Sequence, residues 1–76
     1  MDEPSVRHEI AAAAQQVISA EPDMVCAWQD GEPGSWGFFA GKVVLASKSR
    51  LGRPLSEGER RLAWQTMWDL LVATRA

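Results

Sequence analysis

Three interruptions divide this chain into four segments and limit what any of them can become. Pro22 fixes its own φ and pushes Glu21 out of helical geometry, so a helix before it stops near Ala20. The run Asp30-Gly31-Glu32-Pro33-Gly34-Ser35 reads as a loop at every position. Gly52 stands where a left-handed helix cap belongs, and Pro54 follows two residues later. With 76 residues in all, the expectation is one domain spanning 1–76.

Two of the four segments have clear helical periodicity. In the first, Val6, Ile10, Ala13, Ala14 and Val17 form one stripe, and the alanines at 11–14 favour helix. Asp2 or Glu3 is the expected cap, with Pro4 in the first turn. In the last, Ser56-Glu57-Gly58-Glu59 has the capping-box spacing, and Leu55 precedes it. Ala63, Trp64, Met67, Trp68, Leu70, Leu71 and Val72 then cover an arc of roughly 200°, wider than one neighbouring helix covers.

The middle is ambiguous. Met24-Val25-Cys26-Ala27-Trp28 fits a short helix with Val25, Trp28 and Gln29 on one side, or a short buried strand. From Ser35 onward, Trp36, Phe39, Ala40, Val43, Val44 and Leu51 share an arc of roughly 140°, with Ser35 as N-cap. Gly37 and Gly41 oppose a helix by about 1 kcal/mol each relative to Ala. Agreement between periodicity and caps favours the helix. The predicted fold class is therefore all-α, a compact three- to four-helix bundle with helices 4–20, 35–51 and 56–74 and an irregular or short helical segment 22–29. The alternative is an α+β arrangement in which 24–29 and 37–46 form a hairpin between two outer helices.

A domain of this size buries only about 60% of its unfolded surface, so it depends on disulfides, metal, self-association or dense packing. Cys26 is the sole cysteine and His8 the sole histidine, which excludes an internal disulfide and argues against metal. Four tryptophans, Trp28, Trp36, Trp64 and Trp68, supply bulk for packing or for an interface. Phe38 and Leu45 fall opposite the main stripe of their helix, beside Gly37 and Gly41. They form either a second contact surface or the outside of a helix covered on both sides. The expected interface residues are Trp64, Trp68, Leu71, Phe38 and Leu45.

Residue types and spacings give little support to catalysis. His8 lies opposite the Val6/Ile10 stripe and should face solvent. Cys26, between Val25 and Ala27, reads as a small buried apolar residue. Asp23, Asp30, Glu32, Glu57 and Glu59 occupy loops or a first helical turn, where acids solvate and cap. Gly41-Lys42 lacks the preceding glycine and following hydroxyl of a phosphate loop. Gly37 and Gly41 have the spacing that allows close backbone packing, though in soluble chains it often has no role. No catalytic residue, metal or cofactor is expected.

Charge is uneven. Residues 1–35 carry seven acids and one base, net −6, whereas 36–76 carry seven bases and three acids, net +4. Lys42, Lys48, Arg50, Arg53, Arg60 and Arg61 surround the turn Gly52-Arg53-Pro54-Leu55, and Lys48, Arg50, Arg53, Arg60 and Arg61 are the expected anion-binding residues. The outward face of the last helix, with Leu62, Gln65, Thr66 and Asp69, is poorly suited to reading bases. The chain is acidic overall, so nucleic acid is the less favoured partner. The expected role is a small non-catalytic protein–protein interaction or regulatory module, self-associating or bound to another protein. The alternative is an anion- or nucleic-acid-binding module. The longest apolar stretch, Trp36 to Ala46, contains Lys42 and is far short of the roughly 20 residues that span a bilayer. No export signal is evident, so a cytoplasmic location is expected.

Overall fold

The computed structural model describes residues 5–75, which form four helices and no strand. They are α1 (Val6–Ala20), α2 (Pro22–Gln29), α3 (Ser35–Leu51) and α4 (Glu57–Ala73). The all-α bundle is the fold, and the hairpin alternative for 24–29 and 37–46 does not form. Those residues lie in α2 and α3 instead. The apolar periodicity of α3 and its Gly52 cap outweigh its two glycines.

The first helix begins later than its sequence suggests. Ser5, in extended geometry, accepts a hydrogen bond from the His8 N–H at 3.4 Å and caps α1 at Val6. The caps expected at Asp2 or Glu3, and Pro4 in the first turn, lie outside the described residues. The helix ends at Ala20 because Glu21, with φ −129° and ψ 58°, is turned out of helical geometry before Pro22. Pro22 then opens α2, where its missing N–H costs nothing.

Helix α3 differs from expectation at its start. Ser35 is its first residue, not its cap, and its hydroxyl donates to the Glu32 carbonyl at 2.8 Å. The chain enters instead through Gly34, with φ 84°, a left-handed conformation that suits glycine. At the other end Gly52 takes φ 72° and its N–H bonds back to the Lys48 carbonyl at 2.9 Å, as the sequence predicts. Helix α4 has the full capping box. The Glu59 N–H donates to Ser56 Oγ at 3.2 Å, and the Ser56 N–H donates to Glu59 Oε1 at 2.9 Å.

The core draws on all four helices. It contains Ile10, Ala14 and Val17 of α1, Val25 and Trp28 of α2, Phe39 and Val43 of α3, and Ala63, Met67 and Leu71 of α4, with Leu55 from the turn. Small Ala13, Ala14 and Ala63 are fully covered where α1 packs against both α3 and α4. Cys26 departs from its expected burial and is exposed. Val25 and Trp28 carry α2's buried edge, and Cys26 is turned about 100° from Val25 and farther from Trp28. The spacing of Gly37 and Gly41 serves no close packing, because a Cβ at either would meet nothing within 4 Å.

One buried polar group was not anticipated. Ser47 continues the line of Phe39 and Val43 at four-residue spacing and is fully buried, and its Oγ has no hydrogen-bond partner among the described residues. An unpaired buried hydroxyl costs about 1–3 kcal/mol. Ser47→Ala should therefore stabilise the fold by about 1 kcal/mol and raise the thermal midpoint by roughly 4–8 °C in circular dichroism. Gly41→Ala should add about 0.5–1 kcal/mol through helix propensity alone, since the space is open.

Candidate functional site

The wide apolar arc of α4 divides into two parallel rows. Ala63, Met67 and Leu71 are fully buried. Trp64, Trp68 and Val72, each one residue further on, remain 37%, 42% and 45% exposed. Leu71, expected at an interface, is thus a core residue. Successive helical positions differ by about 100°, so burying one row leaves its neighbour at the rim of the bundle.

The exposed ridge is rigidly held. The Trp64 indole N–H donates to the Ala40 carbonyl of α3 at 3.2 Å. Trp68 stands edge-on to two other indoles, 5.4 Å from Trp28 at 86° and 5.3 Å from Trp36 at 88°. Such edge contacts are the favoured arrangement of aromatic rings. All four tryptophans therefore lie in or beside one region of α2, α3 and α4, with Trp28 innermost.

The other two expected interface residues lie elsewhere. Leu45 is 63% exposed, so α3 is not covered on both sides. Trp36 and Leu45 are nine residues apart on α3, about 180° around its axis, which puts Leu45 opposite the tryptophan side. Phe38 is half-buried, edge-on to Phe39 at 5.4 Å, with Lys42 Nζ 5.5 Å above its ring. Shallow depressions flank Leu45, one lined by Val17, Ala20, Lys42 and Ala46 and another by Lys48, Gly52, Arg53 and Pro54.

Much of the basic cluster is engaged by carboxylates. Arg50 Nε lies 2.9 Å from Glu9 Oε1, tying α3 to α1. Arg53 makes a two-pronged pair with Glu59, at 2.8 Å on each prong, and also donates to the Pro54 carbonyl at 3.1 Å. Arg61 pairs with Glu57 at 2.9 Å across one turn of α4, in an exposed contact of small energetic weight. Lys48 and Arg60 are exposed and make no ion pair with any described residue. The five residues expected to bind anions do surround the turn, but three share their charge with acids of the same chain.

His8 is exposed, as its helical position predicts. No group of three His, Cys, Asp or Glu that could hold a metal ion occurs among the described residues. No helix among them is long and apolar enough to cross a membrane. Contacts at the C-terminal end have no signal in the sequence. Gln29 donates to the carbonyl and hydroxyl oxygens of Thr74 at 3.2 and 2.9 Å, and Arg75 donates to the Gln29 carbonyl at 3.1 Å.

Comparison with family models, with curated proteins and with solved structures gives no match.

The Arg53–Glu59 pair has a consequence for pH. Hydrogen bonds from Arg53, then from the Ser56 N–H, lower the Glu59 pKa from 4.5 to about 2. The fold favours the ionised carboxylate, so this contribution is complete above pH 4.5 and is lost as pH falls from there toward 2. Thermal midpoints of wild type and Glu59→Gln should differ above pH 4.5 and converge near pH 2. A difference that persisted at the acid end would show that ionisation of Glu59 is not its source.

Proposed function

We propose that this chain is a non-catalytic protein-interaction module that self-associates through the Trp64/Trp68/Val72 ridge of α4. The observation that carries this reading is the ridge itself, three large apolar side chains in one line, each more than a third exposed on a rigid helix. Tryptophan is the residue most enriched at binding hot spots, and side chains already fixed lose little freedom on docking. Trp64, held by Ala40, and Trp68, held between Trp28 and Trp36, meet that condition.

A second copy is the partner that the ridge itself suits. In a two-fold antiparallel pairing that lays the ridge on its own copy, Trp68 sits at the axis and Trp64 of one protomer faces Val72 of its partner, so apolar surface meets apolar surface along the whole row. A standard interface takes about 800 Å² from each partner, roughly a sixth of the 4885 Å² surface of this chain.

Sedimentation velocity at micromolar concentration tests the reading. Wild type should sediment as a dimer, and Val72→Lys, which puts a charge on the ridge without touching the core, should sediment as a folded monomer. A wild-type protein that stayed monomeric, or a variant as dimeric as wild type, would contradict it.

A further inference from the structure

The region beyond the ridge, where α2 and α4 end and α3 begins, has a different chemistry. A depression of about 290 Å³ there is lined by Trp28, Trp36 and Trp68, together with Glu32, Ser35 and Arg75. The Arg75 guanidinium lies 4.5 Å from the centroid of the Trp28 ring. We infer that this depression is a binding site for an organic cation, a quaternary ammonium group in particular, and that Arg75 is its internal occupant.

Four features of the depression favour positive charge. Indole faces are the aromatic surfaces that attract cations most strongly, and a site with several indoles can surround an ammonium from more than one side. Trp68, edge-on to both Trp28 and Trp36, holds the three rings together. Helix α2 ends at Gln29 and α4 at Ala73, and the Gln29 side chain binds the two ends together through Thr74. Helix C-termini carry partial negative charge, and the Glu32 carboxylate adds a full one. Finally, a cation is already seated there. Arg75 faces the Trp28 ring, and its Nη2 donates to the Gln29 carbonyl at 3.1 Å.

An anion is the competing ligand, because α3 begins at the same depression and its N-terminus is positive. The Ser35 N–H and hydroxyl, however, both donate to the Glu32 carbonyl, at 3.3 and 2.8 Å, and are not available to an anion. Arg75 is exposed and held by one hydrogen bond and one ring contact, so an ammonium with a better fit to the indoles can replace it.

Choline, acetylated trimethyllysine amide, 3,3-dimethylbutanol (the uncharged shape-match of choline) and inorganic phosphate are titrated separately against the full chain, read by tryptophan fluorescence and by the indole signals in NMR. The ammonium probes should give saturable shifts at Trp28 and Trp68, with the uncharged analogue weaker by about tenfold or more. The ratio of choline to trimethyllysine affinity then identifies the source of the ammonium as a free small molecule or a modified side chain. Arg75→Gln should tighten ammonium binding by about threefold or more, because it removes the competitor. Trp36→Leu, a change at a half-buried position outside the ridge, should abolish it. Arg75→Gln leaves Trp64 and Val72 intact, so its outcome is read independently of self-association. Equal response to the uncharged analogue, saturation by phosphate alone, or no gain in Arg75→Gln would overturn the proposal.

Discussion

Ala63, Met67 and Leu71 lie four residues apart along α4 and are fully buried, and the rest of the bundle is arranged to cover them. Ile10, Ala14 and Val17 of α1 and Phe39 and Val43 of α3 belong to the same core. Helix α1 can lie against both other long helices because the side chains at 13, 14 and 63 are only methyl groups. Once that row is committed to the interior, the next row around α4 cannot also be. Trp64, Trp68 and Val72 are at the surface for the same geometric reason that Ala63, Met67 and Leu71 are inside. Stability and the proposed interface thus derive from one helix whose apolar arc is wider than the bundle consumes.

The polar contacts fix where that helix starts and ends. At its start, Glu59 serves as both arms of one device, accepting from the Ser56 N–H to cap α4 and from Arg53 to hold the preceding turn. At its end, Gln29 and Arg75 fasten α4 to α2. These contacts place Trp68 between Trp28 and Trp36 and so keep the ridge and the neighbouring depression in fixed relation. The same pairings leave the arginines around the turn with less free charge than their number implies. Arg50, Arg53 and Arg61 serve α1, the cap and the α4 surface, in that order.

Elements with redundant signals were the legible ones. The stripe of α1, the break at Pro22, the Gly52 cap and the Ser56/Glu59 box each combine periodicity with end chemistry, and each stands in the structure. The width of the α4 arc also announced surplus apolar surface. Its division into rows depends on how α1 and α3 pack, so the arc alone does not separate Leu71, inside the core, from Trp64, Trp68 and Val72 at the rim. Ser47 could have been placed in the core, since it extends the spacing of Phe39 and Val43, but its polarity masked the pattern. Cys26 misled in the opposite sense, because apolar neighbours in sequence are not neighbours on a helix. Arg75 over Trp28, the Glu9–Arg50 pair and the Gln29–Thr74 latch join residues 41 to 47 positions apart, and no local pattern encodes such pairs.

The central claim is that the outer row of α4 is a surface this chain covers with its own copy. Methyl NMR with a soluble paramagnetic agent, recorded across a dilution series, tests it residue by residue. In dilute solution the Val72 and Leu45 methyls should both be bleached and those of Leu71 spared. At high concentration Val72 should become protected while Leu45, on the far side of α3, remains bleached. Equal bleaching of Val72 and Leu45 at every concentration would contradict the account.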